Sequence, residues 1–180
     1  MALIEVNGTQ IHYLDEGPRN APAIVFSNSM FFDVTMFEKQ AAAFADNYRV
    51  VRYDHRGQGG SAKAPRDKLN MDTLADDTAA LIETLGLQKC CFVGNSMGGF
   101  IALRLAARRP DLIASAVIMG SSADAEVSVE AMEAVVQVIE QNGVSPVVED
   151  VLYFMLGDTT RNDPDRAATK QRVTKMLESR

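Results

Sequence analysis

Cysteine, positive charge and long apolar runs are all scarce in this chain, and each scarcity removes a class of function. The only two cysteines are neighbours, Cys90 and Cys91. Adjacent cysteines seldom bridge and match no metal-ligand spacing, so neither a disulfide framework nor a metal centre is expected. They read instead as small apolar residues opening a buried strand, which fits a reducing compartment. Lys and Arg number 18 against 24 Asp and Glu, a formal charge of −6. Gripping nucleic acid or an anionic membrane needs a basic face, so neither is an expected partner. No apolar run approaches the length that spans a bilayer. The opening MALIEVNGTQ lacks a basic start followed by an apolar core, so no signal peptide is expected and the cytoplasm is the expected location.

What is present is an α/β rhythm. Ile4–Val6 and Ile11–Leu14 are β-type runs joined by Asn7-Gly8, a strong hairpin signal. Ala23–Phe26 is a short continuous apolar run, as in a strand buried on both faces. Phe37, Ala41 and Phe44 follow at helical spacing, then the strand YRVVRY (48–53) and the glycine-rich DHRGQGGS. A helix is expected from about Thr73, with Thr73 and Asp76 as a capping box, a buried stripe at Leu74, Leu81, Ile82 and Leu85, and Gly86 as its stop. Cys90–Val93 reads as a strand, Met97–Arg108 as a helix and Ile113–Met119 as another strand. Such alternation implies βαβ crossovers, a mostly parallel sheet behind an N-terminal antiparallel hairpin, and helices on both faces. After Gly120 the rhythm breaks into three helical patterns. They carry Met132, Val135, Val136 and Ile139; then Val148, Val151, Leu152 and Met155; then Val173, Met176 and Leu177. Ser145-Pro146 and Asp163-Pro164 read as N-caps followed by a first-turn proline.

One stretch carries chemistry. Gly94-Asn-Ser96-Met-Gly98 fits G-x-S-x-G, with a strand before it and a helix after it. A strand-to-helix turn this sharp strains its central residue and lifts the side chain above the sheet edge. Glycines flank it because bulk there would clash. The helix N-terminus supplies free N–H groups beside the serine oxygen, suited to an oxyanion. Ser96 is therefore the candidate nucleophile.

With these motifs in order, the chain resembles the α/β-hydrolase family along nearly its whole length. VNGTQIHYLDEGP resembles the family's opening hairpin, and AIVFSNSMFFDVTMF its third strand and oxyanion loop. VVRYDHRGQGGSAKAP resembles the fourth strand and its turn, and FVGNSMGGFIALRLAARRPDLI the nucleophile elbow and the helix behind it. The SNSM start of the loop is most similar to the 3-oxoadipate enol-lactonase group. By this resemblance the backbone amides of Met97 and Met30 are the oxyanion donors, and Asn28, Ser29 and Asn95 are candidate substrate contacts. Residues 1–122 would be the hydrolase core and residues 123–180 a helical cap. The implied substrate is a small ester or lactone, with no metal or organic cofactor.

A serine hydroxyl needs a base, normally a histidine oriented by a carboxylate. The family order is serine, acid, histidine. Both histidines here, His12 and His55, precede Ser96. His12 alternates with apolar neighbours in the hairpin and reads as a solvent-face residue. His55 follows the fourth strand; with one strand between, at about 4.8 Å per strand, its Cα starts roughly 10 Å from the serine. It reads as a turn residue that helps Asp54 and Arg56 tie down the glycine loop. Asp124 is a candidate acid, with a helix N-cap as its competing role. The chain is thus expected to stop before the family's last strands, leaving the sixth strand an apolar edge that calls for a homo-oligomer or a complementing chain. Weak or no turnover is expected of the 180-residue polypeptide. The rival readings are a binding protein or interaction fragment on a hydrolase scaffold and, among enzymes, a C–C hydrolase or cofactor-free perhydrolase.

Overall fold

The hairpin forms as the sequence predicts. Strands β1 (Ala2–Val6) and β2 (Thr9–Glu16) pair antiparallel, with Val6 opposite Thr9. The turn between them holds φ at 46° for Asn7 and 70° for Gly8, the positive pair that matches strand twist. In the computed structural model, residues 2–123 and 129–178 are described, the latter with side chains from 133 onward. They fall into two compact units, Met1–Asp124 and Ala125–Arg180.

The first unit is built on a six-stranded sheet of order β1-β2-β4-β3-β5-β6. Its remaining strands are β3 (Ala23–Ser27), β4 (Arg49–Tyr53), β5 (Cys90–Asn95) and β6 (Ile113–Met119). β2 pairs antiparallel with β4; the pairs β3–β4, β3–β5 and β5–β6 are parallel. Every residue of β3 and β4 is buried, which explains the apolar run of β3, while the two arginines of β4, Arg49 and Arg52, pair with Asp15 and Glu16. Side chains alternate across the strands and divide the core in two. Val25, Val51 and Phe92 face Leu74, Leu81 and Ile82 of α2 (Met71–Thr84) and Ile101 and Leu105 of α3 (Met97–Arg108). Ile24, Phe26 and Val50 face Phe37 and Ala41 at α1 (Glu38–Phe44). Helices therefore cover both faces.

Several local expectations shift. The α2 cap is Asn70, whose side chain accepts the Thr73 N–H at 2.9 Å, not Thr73 itself. An amide oxygen three residues upstream meets that donor and starts the helix two residues earlier. Phe44, the last residue of α1, is exposed and meets Tyr48 edge-on. β6 is an edge, and its residues Ala114 to Ile118 are all exposed, Val117 at 46%.

The second unit holds α4 (Val129–Asn142), α5 (Val148–Met155), α6 (Asp158–Asn162) and α7 (Ala167–Glu178). Its small core is Val144, Val147, Val148, Leu152, Val173 and Leu177. The α4 stripe is largely bare: Val135 and Val136 are exposed and only Ile139 is half-buried, while the Met132 side chain lies outside the described residues. Asp163 caps as expected, accepting the Asp165 N–H. Ser145 does not: it sits inside a 3-10 turn with Pro146 and makes no cap bond. Helix α6 had no clear apolar pattern to announce it.

Candidate active site

Ser96 joins β5 to α3 with φ 49° and ψ −114°, a conformation a side-chain-bearing residue adopts only under constraint. The constraint is visible. The Ser96 N–H donates to Met119 O at 2.8 Å, and Ser96 O accepts from Gly99 N–H at 2.8 Å and from the Ser121 hydroxyl at 2.8 Å. A Cβ at Gly98 would overlap the Ser27 carbonyl, and one at Gly94 would overlap the Gly98 carbonyl. The glycines thus permit β3, β5 and α3 to approach backbone to backbone. Ser121, which sequence reading passed over, also accounts for the second glycine of MGG: a Cβ at Gly99 would strike its hydroxyl.

The Ser96 side chain is half-buried, and its hydroxyl has no hydrogen-bond partner among the described residues. The backbone N–H groups of Met97 and Met30 likewise donate to no protein acceptor among them. Met97 is buried as the first residue of α3, whereas Met30 is 43% exposed in the loop after β3. That loop is tied to the elbow by the Ser29 hydroxyl, which donates to Asn95 Oδ1 at 2.5 Å. Asn28 is buried and gives its side-chain N–H to Phe32 O at 2.6 Å. Asn28, Ser29 and Asn95 therefore each hold an intramolecular bond. Asp124 lies outside the described residues.

Neither histidine bonds to Ser96, and His12 differs from its expected setting. His12 is buried, not solvent-facing: its Nδ1 stands 2.6 Å from Asp54 Oδ2. Asp54 further accepts the N–H groups of Val34 and Gly60 at 2.7 Å each, so β2, β4 and two loops converge on one carboxylate. His55 is fully buried with its ring edge-on to Tyr53. Its Nε2 lies 3.0 Å from Asn28 O, and because a carbonyl only accepts, the proton sits on Nε2. Nδ1 has no partner among the described residues. Burial, partly offset by the Asn28 bond and the Asp54 and Asp77 charges, lowers the His55 pKa to about 4. Its ring bonds to the loop that bears Met30, while its carbonyl accepts the Gln58 N–H within its own turn. Arg56 does anchor the turn, through a buried pair with Asp77 at 2.5 Å and a bond to Asn7 O.

The site thus combines a strained serine between strand and helix, glycines where backbones touch, and uncommitted amides at Met97 and Met30. The chain is 36% identical over 154 residues to 3-oxoadipate enol-lactonase 1 of Acinetobacter baylyi, covering 86% of this chain and 57% of that one. It is 32% identical over 139 residues to enol-lactonase 2 of the same organism, covering 77% and 51%. The chain thus spans about half the length of the curated relatives it matches. Among solved structures it superposes on the enol-lactonase from Burkholderia xenovorans with TM-score 0.87 and 31% identity, covering 98% of this chain and 67% of that one. A family model described as alpha/beta hydrolase fold matches residues 22–143. With that match over most of its length, and with this sheet and this elbow, the chain belongs to the α/β-hydrolase fold family.

Proposed function

We propose that this protein is a serine-nucleophile hydrolase of small esters or lactones. The observation that carries the reading is Ser96, held at positive φ with an uncommitted hydroxyl beside the free Met97 amide. In this mechanism the Ser96 Oγ attacks the substrate carbonyl carbon, a C–O bond forms, and the hydroxyl O–H bond breaks with its proton passing to water. The carbonyl electrons move to oxygen, and the Met97 and Met30 N–H groups receive that charge as it develops. The alkoxide departs, or in a lactone the ring opens, and water then cleaves the acyl-enzyme. The enol-lactonase relatives support a lactone or ester as substrate class. Asn28, Ser29 and Asn95 act here by shaping the loop and the elbow, since each side chain already bonds within the protein. Residues 123–180 are read as a cap segment, and Asp124 as a candidate acid.

The Ser96 proton has no histidine to receive it. His12 is engaged with Asp54, and His55 presents its Nε2–H to Asn28. We therefore expect the 180-residue chain to acylate slowly. Hydrolysis of a short-chain aryl ester and of a simple lactone by this chain, compared with Ser96→Ala, is the test. Weak activity that vanishes in Ser96→Ala supports the reading; activity that persists in the variant removes it. A second reading, action through an interaction surface, is favoured by one observation: the exposed apolar β6 edge.

A further inference from the structure

The loop that carries Met30 has little structure of its own. Between Ser27 and Glu38 the chain makes only tight turns, with Phe32 N–H on Ser29 O and Met36 N–H on Asp33 O. Phe31 sits at φ 69°, a left-handed conformation that is strained in a side-chain-bearing residue. A loop in that state must be held from outside.

We propose that His55 and Gln58 are positioning residues that hold the Met30 amide in place from both sides. This inference rests on the reading of Met30 and Met97 as oxyanion donors. His55 Nε2–H donates to Asn28 O, two residues before Met30, at 3.0 Å. Gln58 Oε1 accepts the Phe31 N–H, one residue after Met30, at 3.0 Å. The same Gln58 side chain reaches Met97 with its Nε2, 3.7 Å from Sδ, and so touches the residue bearing the second donor. One turn sets both braces, because Gln58 N–H bonds back to His55 O at 2.9 Å and Gly57 supplies the φ of 78°. Farther along, Asp54 Oδ1 takes the Val34 N–H and Arg52 donates to Val34 O, each at 2.7 Å. The glycine-rich turn is thus the outer half of the oxyanion site. A misplaced donor weakens only the species that carries the charge, so its loss falls on the chemical step and not on binding.

The test is the rate at which Ser96 of the full 180-residue chain is labelled by a fluorophosphonate in alkaline buffer. In that reaction Oγ bonds to phosphorus, the P–F bond breaks, fluoride leaves and the hydroxyl proton passes to water. Negative charge builds on the phosphoryl oxygen in the five-coordinate transition state, so the rate reports on the oxyanion donors. Gln58→Ala, at a half-buried position, and His55→Phe, which keeps a ring against Tyr53, should each lower the maximal labelling rate about tenfold or more, with probe affinity held within about twofold. His55→Gln, which retains an N–H, should recover most of that rate. Hydrogen exchange at the Phe31 amide should quicken in Gln58→Ala. Unchanged labelling in Gln58→Ala, or equal losses in His55→Gln and His55→Phe, overturns the proposal while leaving the nucleophile reading intact. A wild-type Ser96 that never labels overturns both. If His55→Phe does not fold, Gln58→Ala decides alone.

Discussion

Ser27 and Gly98 pack main chain to main chain, so closely that a Cβ on Gly98 would overlap the Ser27 carbonyl oxygen. This contact seats the start of α3 against the end of β3 and fixes the height at which Ser96 stands. Gly98→Ala should therefore destabilise the fold by about 2–3 kcal/mol through overpacking against backbone that cannot yield. Gly157→Ala, where a Cβ meets nothing, should stay within about 0.5 kcal/mol. Urea unfolding midpoints of the two variants check the contrast.

Acid should weaken the protein through His55. Its pKa falls to about 4 in the folded state from 6.5 unfolded, so between those values the unfolded chain binds more protons. Stability from this group is full above pH 6.5 and declines as pH falls toward 4, by on the order of 3 kcal/mol. Unfolding free energies measured across that window should rise with pH. In His55→Gln the slope should shrink; an unchanged slope would assign the acid sensitivity elsewhere.

Arg56 and Asp77 form a pair almost wholly removed from solvent, shared with Asn7 through its side-chain N–H and its carbonyl. Removing one partner strands a buried charge. Asp77→Ala should cost about 3–5 kcal/mol, whereas Arg56→Met combined with Asp77→Leu should cost less than the single change. Thermal and denaturant unfolding of the two variants measure the difference.

The edge strand β6 presents IASAVIM with no charge to deter another strand. Val117→Lys, at a position 46% exposed, should suppress concentration-dependent association at little cost in stability. Sedimentation or light scattering at micromolar protein reads this directly. A wild type that stays monomeric throughout would remove the interaction-surface reading.

The elements that sequence pattern located well are those whose periodicity has one explanation. The Asn7-Gly8 turn, the doubly buried β3 and β4, the α2 stripe and the limits of α3 and β6 all follow from local chemistry. Elements located poorly depend on distant neighbours. The α4 stripe looks like a core face, yet Val135 and Val136 are exposed, because an apolar stripe shows only what a helix is able to bury. His12 alternates like a solvent-face residue, yet Asp54, 42 positions later, draws it inward.

At the site the division is sharper. Glycines around Ser96 are legible in one dimension because strain, backbone approach and a helix N-terminus are local demands that only certain residues satisfy. Which groups steady the loop that carries Met30 is not legible. Asn28 and His55 are 27 positions apart, as are Phe31 and Gln58, and they meet only because parallel strands β3 and β4 end side by side. A side chain's chemistry is written at its own position, but its partner is chosen by the packing of the sheet.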